Sequence, residues 1–167
     1  ISLKANNAAK IFKVQSDNAG EVLLKSNIYS SGYGGHFDFD FVQRPNHDNE
    51  GAISIKNLRV IGAPFLAKLI SLTSIEGIID LLRSNGMVFN DIQGRFQLSK
   101  DRLTITDGFA VNPSFGITLV GTRYMNKKLI NYEGVITPAY SLNGMVKKIP
   151  LIGSIIGGDK GEGIFGV

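Results

Sequence analysis

Two carboxylates on one predicted strand are the first candidates for chemistry in this 167-residue chain. Asp38 and Asp40 are two residues apart, so in an extended strand they share a face and could act as a general acid and base. They alternate with Phe37, Phe39 and Phe41, which favours a simpler interpretation: the solvated face of an amphipathic strand. We therefore assign neither aspartate a catalytic role.

The histidines and the glycine-rich segments match no motif for a metal or a phosphate. His36 and His47 lack the i, i+4 spacing of a zinc-binding helix, and the chain has no cysteine. Segments 31–35 and 157–163 lack the Gly-Lys-Ser/Thr ending of a phosphate-binding loop, so we interpret them as turns. With no nucleophile elbow either, we expect no catalytic residue, no metal and no cofactor, and we predict that the protein is not an enzyme.

Composition and charge limit the classes of partner. Lys and Arg number 18 against 14 Asp and Glu, and they form no stripe with aromatic residues, so we predict no nucleic-acid partner. The longest run without charged residues, 108–122, is too short for a spanning helix and is interrupted by Pro113. The chain opens at Ile1 without a signal-peptide pattern, so we expect its targeting segment to lie elsewhere.

Alternation of apolar and polar residues predicts strands over most of the chain. In the first half it predicts a strand over 21–29, a hairpin turn over 31–35, a strand over 36–41 and another over 51–60. A change of parity at Lys56-Asn57 indicates a β-bulge or a bend. In the second half, strands are predicted near 95–98, 103–106, 115–119 and 129–136, with a last one entering at 164–167.

Two stretches have helical spacing instead. Phe65–Leu82 predicts two short helices, the second with a capping box at Thr73–Glu76, and Leu142–Ile156 predicts two more around Pro150. The predicted fold is mainly β with short helices (α+β). It consists of a twisted antiparallel sheet that forms part of an apolar groove, partly covered by two pairs of short helices, in a single domain spanning 1–167.

The chain resembles a bacterial protein family. The run GAISIKNLRVIGAPFLAKLISLTSIEGIIDLLRSNGMVF, which begins at Gly51, is similar to the AsmA-like C-terminal region of YhdP-type proteins. So are DGFAVNPSFGITLVGTRYM and the segment from Gly134 to the end, in which Pro138–Asn143 and Ile149–Gly153 are the most specific elements. The resemblance covers about Asn6 to Val167.

The resemblance implies a function without catalysis. Proteins of this kind, which are related to TamB, are anchored in the bacterial inner membrane by an N-terminal helix and extend through the periplasm. Their long β-groove is thought to carry phospholipid acyl chains toward the outer membrane. The chain would then be the C-terminal fragment of a longer protein, nearest the outer membrane. Its partners would be phospholipid and the two membranes.

Strand parity suggests which residues would line such a groove. Each exposed Phe on the 36–41 strand forfeits ~1.5–3 kcal/mol unless something covers it. The face that includes these rings is therefore our predicted lipid-binding set: Phe37, Phe39, Phe41, Ile53, Ile55, Phe96, Leu98, Leu103, Ile105, Ile117 and Leu119. We expect the polar partners on these strands to face the periplasm: Asp38, Asp40, Arg95 and Thr104.

Two other functions compete with lipid transfer. In a structural or docking domain at the outer-membrane-proximal end, the apolar faces would cover one another and form a closed core. An enzyme acting on lipid or glycan has little support, because no acid, base or nucleophile set is visible. A charged residue at Phe39 separates the first two hypotheses, since it should abolish lipid binding in a groove but unfold a closed core.

Overall fold

The computed structural model describes residues 2–6, 9–45, 47–62, 86–127 and 129–138. These residues form nine strands and one helix. The strands are β1 (Ser2–Asn6), β2 (Ala9–Ser16), β3 (Gly32–Tyr33), β4 (His36–Gln43), β5 (Asn49–Val60), β6 (Met87–Leu98), β7 (Arg102–Val111), β8 (Phe115–Tyr124) and β9 (Leu129–Pro138). The helix is α1 (Ala19–Lys25).

All the strands belong to one antiparallel sheet. Its order is β1-β2-β4-β5-β6-β7-β8-β9, and the short β3 pairs with β5. Neighbouring strands mostly follow each other in the chain because short connections favour antiparallel pairing. The predicted mainly β, antiparallel fold is confirmed. The two predicted helix pairs, at 65–82 and 142–156, and the strand at 164–167 lie outside the described residues.

The predicted strand over 21–29 is wrong, because α1 occupies most of that segment. The Asn18 side chain accepts a hydrogen bond from the backbone N–H of Glu21 at 3.1 Å and caps the helix. Glu21 also pairs with Lys25 one turn later at 2.7 Å. Ala19 and Leu23, four residues apart, are the buried pair. The apparent alternation was too short to distinguish from one helical face.

The two faces of the sheet differ in polarity. Directly opposite residues share a face, and the register aligns apolar rows across five strands, for example Phe39, Ile53 and Gly94 on β4, β5 and β6. The predicted irregularity in β5 is present. Asn57 has a positive φ of 55°, but the register is the same before it, where Lys56 lies opposite Asp91, and after it, where Leu58 lies opposite Phe89, so the irregularity is not a β-bulge.

One end of the apolar face is closed by α1. The closed part, here called the core cluster, contains Ala19, Leu23, Phe37, Ile55, Leu58, Val60, Met87, Phe89 and Phe115. Phe89 and Phe115 meet edge to face with ring centroids 6.1 Å apart. The opposite end, where turns connect β4 to β5, β6 to β7 and β8 to β9, is called the turn end. In the part of the chain described, no helix has the length and apolarity to cross a membrane.

Candidate functional site

The apolar face contains an open concavity of about 610 Å³. It begins beside Ile28, which follows α1, and extends to Leu98 and Leu103, the last pair before the β6–β7 turn. Its lining is almost entirely apolar and comes mainly from β4 to β8. The volume is in the range of ligand sites, roughly 300–1,000 Å³.

Missing side chains in the middle of the sheet create this depression. Gly94 and Gly108 lie directly opposite each other on β6 and β7, and both line the concavity. In the same register, Ile53 lies next to Gly94, and Leu119 lies next to Gly108. Larger side chains therefore border two positions that have none, and the sheet is hollow between them.

An aromatic ladder borders the concavity on the β4 side, and two of its three rings, Phe39 and Phe96, line it. The rings of Phe39 and Phe41 stack at 6.2 Å along β4, and Phe96 of β6 stacks on both, at 6.1 and 6.3 Å. Phe96 reaches them across Gly51 of the intervening strand, where a Cβ atom would overlap its ring. The glycine at position 51 thus allows side chains two strands apart to make one continuous apolar surface.

Eight of the eleven predicted lipid-binding residues line the concavity together. They are Phe39, Ile53, Phe96, Leu98, Leu103, Ile105, Ile117 and Leu119. Strand parity identified them because the register keeps each apolar row on one face through five strands. Three of the eight also pack against the core cluster, namely Phe39, Ile53 and Ile117.

The other three predicted residues lie on the same face but outside the concavity. Phe37 is 6% exposed and Ile55 is 3% exposed, and both belong to the core cluster, where α1 helps to cover them. Phe41 stacks on Phe39 and Phe96 beside the concavity without lining it. Parity cannot separate covered from open positions, since the difference depends on where α1 packs.

Sequence reasoning missed several lining residues. Ile92 has the same parity as Phe96 on β6 and faces Ala110 of β7 directly. Ala110 has the opposite parity to Ile105, because the register of β7 shifts between Ile105 and Gly108. The longer alternation from Ile92 through Phe96 would have identified the first of them. Ile28 falls in the strand predicted over 21–29, and no sequence pattern indicates that the segment after α1 brings it to the concavity.

On the opposite face of the sheet, the two aspartates of β4 are paired with polar residues of β2. Asp40 is only 9% exposed and forms an ion pair with Lys13 of β2 at 2.9 Å. Asp38 accepts a hydrogen bond from Gln15 at 2.7 Å. Each carboxylate thus has its own partner on the neighbouring strand. The register places Arg95 and Thr104 on this face too, although Asp40 is buried beneath its ion pair and not solvated as expected.

The two histidines lie at opposite ends of β4. His36 is near α1, with Nδ1 2.9 Å from Asp17 and Nε2 3.3 Å from Asp38. His47 lies in the β4–β5 turn. In the described ranges, no three His, Cys, Asp or Glu side chains are grouped so that they could hold a metal ion.

A second, polar depression adjoins the concavity at the turn end. This turn cleft has a volume of about 920 Å³, and Leu98 lines both. Its charged and titratable lining residues come from two neighbouring turns: Arg44, His47, Asp48, Lys100, Asp101 and Arg102. Arg44 pairs with Glu50 at 2.7 Å, whereas Arg102 is 3.6 Å from Asp48, and Lys100 is exposed.

Because comparisons with known proteins found no match, the assignment of a function depends on the geometry of the concavity and the turn cleft. No protein-family model, no curated protein and no solved structure matches the chain.

Proposed function

We propose that the chain is a non-enzymatic lipid-transfer module whose apolar concavity binds phospholipid acyl chains. The single observation that carries the proposal is the open, apolar concavity of about 610 Å³ on one face of the sheet. Each methylene group that an acyl chain buries there contributes ~0.8 kcal/mol. A lining without strong polar anchors suits a cargo that must also leave.

The AsmA-like resemblance supports a particular setting for this activity. In that setting the sheet is one section of a longer periplasmic β-groove that is anchored in the inner membrane and carries phospholipid to the outer membrane. The openness of the concavity supports this setting, because Leu98, Leu103 and Ile105 line it without belonging to the core cluster that α1 closes.

The second candidate is a structural or docking domain with a self-covered core. The observation that favours it is the deep burial of Phe37 and Ile55, which come from the same apolar face. The two candidates differ in what occupies the concavity: an acyl chain in the first, and no lipid in the second.

The deciding experiment compares two variants, one with an aspartate inside the concavity and one with an aspartate at the next residue, outside it. Ile105 lines the concavity, whereas the next residue of β7, Thr106, is exposed. Phe39 is a poorer choice, because it packs against the core cluster and its replacement threatens the fold. The chain and its Ile105→Asp and Thr106→Asp variants are purified from bacteria without detergent, and their organic extracts are analysed by mass spectrometry.

We expect about one phospholipid per chain in the wild type and in Thr106→Asp, and none in Ile105→Asp. Circular dichroism should show the same strand content in all three proteins. A folded wild-type chain that contains no lipid and takes up none from added phospholipid would favour the docking domain.

A further inference from the structure

The concavity and the turn cleft together are chemically complementary to a phospholipid. One is almost purely apolar, the other contains Lys100 and Arg102, and they meet at Leu98. A phospholipid has the same division between acyl chains and a charged phosphate. From this juxtaposition we propose that the turn cleft holds the phosphate of the lipid whose acyl chain lies in the concavity.

The charge around the cleft favours an anion. Among the residues that line it, the cations are Arg44, Lys100 and Arg102, and the acids are Asp48 and Asp101. Each cation near a phosphate-bearing surface contributes roughly fivefold to its binding.

Two of these cations are suited to bind the phosphate directly. Arg102 is 3.6 Å from Asp48, with both side chains nearly half exposed, so a phosphate can compete for its guanidinium. Lys100 is exposed in the same turn. Arg44 is less available, since its 2.7 Å bond to Glu50 is largely covered.

Arg123 is a further cation at the turn end, and it lies on the sheet itself. It lies directly opposite Leu103, so its side chain emerges on the apolar face where the concavity ends. Lys10 of β2 lies opposite Gln43 and is also on the apolar face at the turn end, towards the β1 edge of the sheet. The apolar face thus ends in cations at the turn end, where the headgroup of a bound lipid would emerge.

This inference rests on the proposed function, because the acyl chain places the phosphate. The test therefore uses two probes with the same acyl chains, NBD-labelled phosphatidylglycerol and NBD-labelled diacylglycerol, titrated into the delipidated 167-residue chain. The variant is Lys100→Gln/Arg102→Gln. The matched control is Lys25→Gln/Arg59→Gln, which removes the same two charges at the α1 end of the sheet.

We expect the wild type to bind phosphatidylglycerol about tenfold to thirtyfold more tightly than diacylglycerol. The turn-cleft variant should lose that preference while its Kd for diacylglycerol stays the same, and the control should behave as the wild type. Equal affinity for both probes in the wild type would overturn the headgroup site but leave the acyl site intact. Failure of both probes to bind would overturn the proposed function as well.

A third titration distinguishes a headgroup from a free anion. Inorganic phosphate alone is added to the delipidated chain in a calorimeter. We expect no heat of binding at concentrations below about 1 mM, because two partly solvated cations hold a lone phosphate weakly. Binding as tight as that of phosphatidylglycerol would overturn the lipid assignment in favour of a free-phosphate site.

Discussion

Gly94 of β6 and Gly108 of β7 lie directly opposite each other in the centre of the apolar face. They are not equivalent. A Cβ atom on Gly94 would lie 3.3 Å from Cγ2 of Ile53, whereas one on Gly108 would lie 2.7 Å from the backbone oxygen of Leu119. The first position can accept a side chain with a small shift of Ile53, and the second cannot. This difference allows lipid binding and folding to be tested separately.

Gly94→Val should reduce lipid binding without weakening the fold. Glycine within a strand costs about 0.5–1 kcal/mol relative to alanine, so the free energy of unfolding should stay the same or rise. The valine fills the floor of the concavity, and each methylene displaced from it costs about 0.8 kcal/mol of lipid affinity. Mass spectrometry of extracted lipid and urea denaturation measure the two effects.

Gly108→Val is the contrasting variant, expected to lose about 1–3 kcal/mol of stability through overpacking. Unchanged lipid content in Gly94→Val would contradict the concavity as the binding site.

Alanine variants of Phe37 and Phe96 should distinguish a residue of the core cluster from a residue that lines the concavity. Phe37 is 6% exposed in the core cluster, so Phe37→Ala should lower the free energy of unfolding by about 3–5 kcal/mol. Phe96 is only partly buried and lines the concavity. Phe96→Ala should therefore lower the free energy of unfolding less than Phe37→Ala does, and reduce the amount of bound lipid more. Urea denaturation of delipidated protein compares the two. Equal losses of stability would mean that the aromatic ladder is as much a part of the core as Phe37.

Asn112 should be essential to the turn between β7 and β8. It is 3% exposed, and its Oδ1 accepts hydrogen bonds from the backbone N–H groups of Ser114 at 2.7 Å and Phe115 at 2.9 Å. Asn112→Ala leaves both donors without this partner, and the N–H of Phe115 is buried, so we expect a loss of about 1–3 kcal/mol in thermal or urea denaturation. Asn126→Ala, in the exposed β8–β9 turn, is the control and should change stability by less than about 0.5 kcal/mol. A similar small effect at both positions would show that the turn does not depend on the amide.

Tyr29 should make the fold sensitive to alkaline pH. Burial, and secondarily the neighbouring Tyr33, raise the pKa of Tyr29, whose hydroxyl donates a hydrogen bond to the carbonyl of Ile61 at 2.7 Å. A raised pKa in the folded state means that stability from the neutral hydroxyl is complete below the unfolded value of about 10, and is lost as the pH rises through the folded pKa. Urea denaturation between pH 8 and 11 should show a steeper loss in the wild type than in Tyr29→Phe. Parallel curves would exclude this contribution.

Strand alternation in the sequence alone determined most of the sheet and most of the candidate site. Along a regular strand, side chains alternate with a period of two, so residues of one parity share a face within each strand. Burial of the apolar set of every strand then predicts that Phe39 of β4 and Ile105 of β7 lie on the same side of the sheet. Eight predicted residues met in the concavity for this reason. The irregularity at Asn57 was also visible, because it changes the parity of the residues that follow.

Tertiary structure alone decided which part of that face is open. Local pattern does not contain the packing of α1 on Phe37 and Ile55, and a seven-residue helix with apolar residues at 22 and 24 alternates as a strand does. The hollow at Gly94 depends on its exact pairing with Gly108, and the meeting of the concavity with the turn cleft depends on two turns far apart in the chain. Such features arise from long-range register and packing, which a periodicity of one chain segment cannot encode.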